Sequence, residues 1–134
     1  MYAWFRKNLD RKERGFTLIE LVVVLAIIAI LIAAAVPLYL GARKKAYKAE
    51  ADNALQELKT LEWAYYQQYN SFTDTNDPNL GYQPPTSSFW TYSATPNGST
   101  NVTLMASGKN PPVATNHVSV ILSSDGSSQS GADF

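Results

Sequence analysis

Cysteine is absent from the 134 residues, and histidine occurs once, as His117. Without cysteine the chain has no disulfide framework and no thiolate metal site. A lone histidine is far more often structural than catalytic, and no nucleophile–base pair, phosphate-binding loop, dinucleotide fingerprint or metal-ligand spacing occurs. Basic and acidic side chains balance at 11 each, which argues against a strongly basic nucleic-acid binder. The sequence therefore predicts a protein that is not an enzyme and needs no cofactor or metal.

An apolar run, Leu21–Leu40, dominates the first third of the chain. It contains 20 residues and no charge, and a helix of about that length crosses roughly 30 Å of hydrocarbon. A helix is the expected form because it satisfies its own backbone hydrogen bonds in lipid. Glu20 borders the run, where a carboxylate is costly to bury and usually has a partner and a function. Pro37, inside the run, removes one helical hydrogen bond and predicts a kink or local opening.

The residues Gly15-Phe16-Thr17-Leu18-Ile19-Glu20 follow a basic leader and precede the apolar run. This arrangement resembles the N-terminal signature of type IV pilins and pseudopilins. The resemblance implies that a prepilin peptidase cuts between Gly15 and Phe16 on the cytoplasmic side. It also implies that the new amine of Phe16 is methylated, and that the apolar helix is retained and mediates polymerisation.

The new amine of Phe16 would carry a positive charge, because an unperturbed α-amine has a pKa of about 7.7–8.0. If it pairs with Glu20 of a neighbouring subunit, the attraction partly offsets the desolvation of both groups. Glu20 lies four residues beyond Phe16 on the same helix face, so a pair within one chain is the competing interpretation. The sequence leaves both open.

Residues 1–15 read as a cytoplasmic leader, since basic residues beside a membrane helix tend to stay inside. The precursor is then a single-pass inner-membrane protein with a cytoplasmic N-terminus. The apolar run followed by Ala33-Ala34-Ala35 also fits a secretory signal peptide, with Val36 starting a soluble protein. Glu20 and the helical pattern that continues past Pro37 argue against that alternative.

Residues 43–69 carry the stripe of an amphipathic helix with one buried face. The stripe consists of Tyr47, Ala51, Ala54, Leu58, Leu61 and Tyr65. A basic group and then an acidic group accompany it: Arg43, Lys44, Lys45 and Lys48, followed by Glu50, Asp52, Glu57 and Glu62. We favour a solvated face with local ion pairs for these charges, and pairing between subunits is the alternative.

Composition changes at Asn70, where a polar, proline-containing loop is predicted to extend to Ser88. Three strands are predicted beyond it, over Phe89–Thr95, Asn101–Ala106 and His117–Leu122, with Pro96-Asn97-Gly98-Ser99 as a hairpin turn. Ser127–Phe134 fits either a short edge strand or a flexible end. For Asp125-Gly126-Ser127 and Asp133 we favour a plain turn over a calcium site. The cluster of Tyr65, Tyr66, Tyr69 and Phe72 is expected to serve packing.

The fold class predicted is α+β, with a long N-terminal helix, half hydrophobic and half amphipathic, packed on a small antiparallel meander. Its parts are a leader (1–15), a membrane or filament-core helix (16–42), an amphipathic helix (43–69) and a C-terminal loop and sheet (70–134). The function expected from the resemblance is a structural subunit of a type IV pilus-like surface filament. Adhesion, twitching motility and DNA uptake are its expected uses.

The alternatives are a pseudopilin of a type II secretion or competence system, which would build a periplasmic fibre, and a monomeric membrane-anchored binding domain. The expected partners follow from the resemblance. They are copies of the same subunit, the prepilin peptidase, an inner-membrane platform driven by a cytoplasmic ATPase, and the lipid bilayer before assembly.

Overall fold

The computed structural model describes residues 15–87 and 89–134, so the predicted leader before Gly15 lies outside the described residues. One helix precedes four strands in these ranges: α1 (Leu18–Tyr69), β1 (Trp90–Asn97), β2 (Asn101–Gly108), β3 (His117–Ser123) and β4 (Ser128–Asp133). The chain divides into two compact units, one up to Leu40 and the other Gly41–Phe134. This order of elements confirms the predicted α+β class, the fold of type IV pilins.

Helix α1 runs without interruption for 52 residues and includes Pro37. The kink or local opening expected at Pro37 stays a prediction. The helix also continues through Ala33–Val36, where a secretory signal peptide would have ended. It stops at Tyr69 because Asn70 adopts the left-handed conformation, with φ of 53°, which closes a helix C-terminus. The Asn70 N–H donates to the Tyr66 carbonyl at 2.8 Å.

The second half of α1 buries one face. Its buried residues are Ala51, Ala54, Leu55, Leu58 and Glu62, with Tyr47, Leu61 and Tyr65 partly buried beside them. These positions confirm the predicted stripe. The prediction for one charge is wrong: Glu62 is expected on the solvated face with the other acidic residues, whereas the structure buries it completely. The physical reason is its spacing, because Glu62 lies one turn beyond Leu58 on the buried face.

The strands form one antiparallel sheet in the order β1-β2-β3-β4. Alternate residues of β1, β2 and β3 face inward and are buried, as period-2 alternation predicts. These are Trp90, Tyr92, Ala94, Val102, Leu104, Ala106, Val118, Val120 and Leu122. They form a single core with the buried face of α1 and three side chains of the 70–89 loop: Phe72, Leu80 and Tyr82. The three predicted strands are confirmed, with bounds that differ by one or two residues.

Two details of the sheet differ from the sequence prediction or complete it. Pro96 and Asn97, predicted in the hairpin turn, belong to β1 and pair with Val102 and Asn101. An edge strand tolerates proline because its missing N–H is not needed by a neighbour. The turn begins at Gly98, whose φ of 70° suits glycine. The C-terminal segment, left open between edge strand and flexible end, forms the edge strand β4.

The Ser87 hydroxyl joins the end of the loop to the helix. Its Oγ accepts hydrogen bonds from the N–H groups of Phe89 and Trp90, both at 3.1 Å. The same hydroxyl donates to the Glu50 carboxylate at 2.5 Å. A single side chain therefore fixes the start of β1 against α1.

A second loop, residues 109–116, closes against β1 and β2. The Gly108 N–H donates to the Asn116 carbonyl at 2.9 Å, and the Lys109 N–H to the Phe89 carbonyl at 2.7 Å. Gly108 has no room for a side chain, because a Cβ there would lie 1.6 Å from the Val113 carbonyl oxygen. The loop thus folds back directly over the end of β2.

Packing and hydrogen bonds join parts of the fold that a disulfide cannot join in this cysteine-free chain. The indole Nε1 of Trp90 donates to the Tyr47 carbonyl at 3.0 Å, and the ring of Phe134 lies 5.9 Å from that of Trp90. The Asn116 side-chain amide donates to the Asp133 carbonyl at 2.9 Å. These contacts join the helix, the first strand and the last strand of the sheet.

Candidate assembly site at the start of the helix

Helix α1 begins with a reciprocal pair of side-chain caps. The Glu20 Oε2 accepts hydrogen bonds from the Thr17 N–H at 2.7 Å and the Thr17 hydroxyl at 2.9 Å. In return, the Glu20 N–H donates to Thr17 Oγ1 at 3.2 Å. A threonine at the N-cap and a glutamate three residues later form a capping box, which satisfies N–H groups that have no helical partner. Thr17 and Glu20 therefore fix the first turn of the helix.

The capping box leaves part of the Glu20 carboxylate available. Both hydrogen bonds from Thr17 end on Oε2, so Oε1 remains available to a cation. Glu20 is also the only charged side chain between Gly15 and Ala42. A counter-charge must therefore come from the leader, from an amine created at Phe16, or from another molecule.

An uncovered apolar surface follows Glu20. Phe16 is 95% exposed, and the large apolar side chains from Leu18 to Leu40 are all substantially exposed. Within the described ranges, α1 is the one helix that contains a stretch long and apolar enough to cross a membrane. Monomeric soluble proteins rarely leave so much apolar surface open. Lipid or other protein chains must cover this half of the helix.

Several charged groups beyond Gly41 have partners within the chain. Lys48 and Asp52 form an ion pair at 2.6 Å, one helical turn apart. Glu50 accepts the hydrogen bond of Ser87, and the Arg43 guanidinium donates to the Tyr47 hydroxyl at 2.8 Å. These contacts support the solvated-face interpretation. Pairing between subunits stays a prediction for the whole group, including Lys44 and Lys45.

The segment Asp125-Gly126-Ser127 forms a turn between β3 and β4. Asp125 Oδ1 accepts a hydrogen bond from the Ser127 N–H at 2.8 Å. Hydrogen bonds from the side chain and the backbone of Ser127 lower the pKa of Asp125. Among the described residues no group of three or more histidine, aspartate or glutamate side chains is placed to hold a metal ion. Asp133 lies in the exposed strand β4, paired with His117 across the sheet.

The predicted aromatic cluster packs around the end of α1. Tyr66 stacks on Phe72 with ring centroids 4.6 Å apart, and Tyr65 lies 4.5 Å from Tyr69. Trp63, which the sequence analysis did not include, stacks on Tyr66 at 5.8 Å. The cluster joins the helix to the start of the 70–89 loop.

Sequence reasoning treated Glu20 only as a charge and missed its capping function. The signal was present, because Thr17-Leu18-Ile19-Glu20 has the spacing of a capping box directly before an apolar run. Glu20 therefore has two separable properties, a cap within its own chain and a negative charge facing outward.

Comparison with known proteins shows which sequences this chain resembles. The family model of the prokaryotic N-terminal methylation motif matches residues 10–36. Over 73 residues, or 54% of this chain and 33% of the relative, the sequence is 34% identical to the type IV major pilin protein PilA of Myxococcus xanthus. Over 63 residues, or 47% of this chain and 48% of the relative, it is 43% identical to the type IV wide pilus major component PilA4 of Thermus thermophilus.

A third relative is the type II secretion system core protein G of Dickeya chrysanthemi. It is 34% identical over 73 residues, which are 54% of this chain and 47% of the relative. The matches thus span between a third and a half of the length of these relatives.

The fold is that of an α+β protein in which the second half of the helix packs on an antiparallel sheet and the apolar first half is left uncovered by its own chain. The matched motif and the relatives make the identity more specific. The N-terminal motif and the relatives together support a type IV pilin family for this chain.

Proposed function

We propose that this chain is a structural subunit of a type IV pilus-like filament. It is made as a single-pass precursor with a cytoplasmic leader and is cut between Gly15 and Phe16. It then polymerises through the apolar half of α1. The observation that carries the proposal is the uncovered surface from Leu18 to Leu40, led by a capped helix start with one available carboxylate oxygen. Copies of the same chain offer a surface of matching chemistry.

Glu20 guides the assembly step. Cleavage creates an ammonium at Phe16, and methylation preserves its charge. In the filament core, the Glu20 carboxylate of a neighbouring subunit neutralises this ammonium while its Oε2 continues to cap its own helix. Removing one member of a buried pair typically costs about 3–5 kcal/mol, which weakens each subunit addition by roughly 10²-fold or more.

The remaining partners follow from this route. A prepilin peptidase, with methylation of the new amine, prepares the subunit, and an inner-membrane platform driven by a cytoplasmic ATPase extrudes the polymer. The bilayer holds the apolar helix before assembly. Adhesion, twitching motility and DNA uptake are the uses to test once filaments are in hand.

A pseudopilin in a short periplasmic fibre is the second candidate, favoured by the similarity to a type II secretion core protein. Imaging separates the two candidates. Long surface filaments that contain this chain support the pilus, whereas a chain confined to the cell envelope supports the pseudopilus.

Three variants separate the two properties of Glu20 in the test of assembly. Glu20→Gln keeps the side chain that a capping box accepts but removes the charge. Thr17→Ala removes the cap but keeps the carboxylate, and Glu20→Leu removes both. We expect processed subunits in the membrane for all three, but filaments only for Thr17→Ala.

Mass spectrometry of the wild-type filament provides the matching control. Its N-terminus should be Phe16 with one methyl group, and Gly15→Val should leave the leader attached. Normal filament yield from Glu20→Gln would refute the charge pairing. An intact Met1 or a start at Val36 in filaments would refute the processing route.

A further inference from the structure

Glu62 is a fully buried carboxyl group on the core-facing side of α1. It is 0% exposed. Its Oε2 accepts a hydrogen bond from the Thr73 N–H at 3.2 Å, whereas its Oε1 is buried and has no hydrogen-bond partner among residues 15–87 and 89–134. A buried ionised carboxylate normally needs a cation and a full set of donors. Within the described part of the chain, Glu62 has one donor, the Thr73 N–H.

The ionisable groups that act on Glu62 are acidic. Asp74 and Asp77 of the 70–89 loop both disfavour its ionised form. Each of these aspartates is held in place, because Asp74 accepts the Asn76 N–H and Asp77 accepts the Tyr65 and Thr73 hydroxyls. On the helix, Lys59 directs its amine to the Ser128 hydroxyl at 3.5 Å. Burial, reinforced by these two carboxylates, raises the pKa of Glu62 to about 7.

The closed structure is therefore suited to a neutral carboxylic acid. The protonated group can keep the hydrogen bond from Thr73, and it does not place a third negative charge beside Asp74 and Asp77. Ionisation leaves a buried charge with the Thr73 N–H as its donor, which costs free energy. This cost is relieved when the loop moves away, because water then reaches the carboxylate.

We propose that Glu62 is a proton-operated latch that holds the start of the 70–89 loop on helix α1 when protonated and releases it when ionised. The contacts that form the latch lie between Glu62 and Asp77, within one chain. It therefore operates in a single subunit as well as in a filament, independently of the proposed function.

Release has a defined consequence for the surface. Thr73 follows Phe72, which is 6% exposed and stacks on Tyr66 at 4.6 Å. When the Thr73 N–H leaves Glu62, Phe72 loses its anchor and the ring of Tyr66 loses its cover. The open form thus presents an aromatic surface that the closed form hides.

The pH dependence follows from proton binding. The closed form binds the Glu62 proton up to a pH of about 7, whereas a solvated glutamate loses it near 4.5. Over this interval the closed form holds one more proton, so it is favoured below the interval and lost progressively as pH rises through it. Above pH 7 the opening constant levels off.

Hydrogen exchange measured by mass spectrometry on the full chain in detergent micelles tests the latch. Amide exchange is followed at pH 5 and pH 8, with labelling times scaled for the intrinsic rate. In the wild type, we expect the opening constant for the segment 70–76 to rise on the order of 10²-fold between these pH values. Strand β2 should show no such change, which distinguishes local release from global unfolding.

Glu62→Gln is the matching variant, because it keeps the shape of the neutral acid and cannot ionise. It should hold the segment 70–76 closed at both pH values. Glu57→Gln, an exposed position on the same helix, is the control and should behave as wild type. The latch is refuted by a wild-type segment equally protected at both pH values, by pH-dependent opening in Glu62→Gln, or by loss of that dependence in Glu57→Gln.

Discussion

The two halves of helix α1 have the same secondary structure but different sources of burial. From Leu18 to Leu40 apolar side chains surround the helix and none is buried by its own chain. Beyond Gly41 the apolar residues form a stripe, and that stripe is covered by the sheet and the 70–89 loop. An all-round apolar surface requires a partner outside the chain, whereas a one-sided stripe can be satisfied within it.

The comparison also separates two kinds of function. The features of the first half that bear on association are its apolar surface and one carboxylate, Glu20. The second half forms part of a compact head (Gly41–Phe134), and several of its charges already have partners, as for Lys48 and Asp52. Substitutions in the first half should therefore change association, and substitutions in the second half should change stability.

The largest effect is expected from removing the first half altogether. A chain that begins at Arg43 should be a folded, soluble monomer, because every residue of the hydrophobic core lies beyond that point. The full chain should require detergent or assembly. Far-ultraviolet circular dichroism and sedimentation velocity measure these outcomes. An unfolded or aggregated head would show that the core is insufficient without the apolar half.

A matched pair of leucines compares the halves at one residue each. Leu58→Ala removes a fully buried side chain and should lower the free energy of unfolding of the head by about 2–5 kcal/mol. Leu25→Ala, at a position that is 57% exposed, should leave it unchanged. Urea denaturation of both full-length variants in detergent, followed by near-ultraviolet circular dichroism, gives the measurement. Equal losses would mean that the head depends on the first half for its stability.

The smallest effect is expected from the surface charges of the second half. Lys48→Ala removes the ion pair with Asp52 and should cost about 0.2–0.5 kcal/mol of helix stability. The cost should vanish in 1 M salt, since screening weakens exposed pairs. Lys45→Ala serves as the control and should change the urea midpoint less. Loss of filaments with either variant, at unchanged head stability, would favour pairing between subunits.

Much of this fold was accessible from residue patterns. The helix and the inward faces of β1 and β2 follow from apolar periodicity, which burial imposes directly. Strand β4 could not be predicted with the same clarity, because Ser128–Asp133 has no apolar alternation and all six residues are exposed. It becomes a strand by pairing with β3, an interaction that depends on tertiary structure.

Glu62 illustrates a different limit. Its position one turn beyond Leu58 predicts burial, whereas its residue type predicts exposure, and the prediction from residue type is wrong. Only the fold shows that the 70–89 loop covers this position and brings Asp74 and Asp77 beside it. For the candidate assembly site, the residues can be predicted from the sequence but their partners cannot. Its residues are local and visible in the sequence, but the chains that would cover the apolar surface are not.

The close approach at Gly108 has a consequence for how this sequence can change. A Cβ at this position would overlap the Val113 carbonyl, so replacing glycine requires the 109–116 loop to be rebuilt at the same time. Insertions in that loop face the same restriction, because its two ends are tied by the Gly108 and Asn116 backbones. Position 108 and the length of this loop should therefore diverge together among relatives of this chain, as one inherited unit.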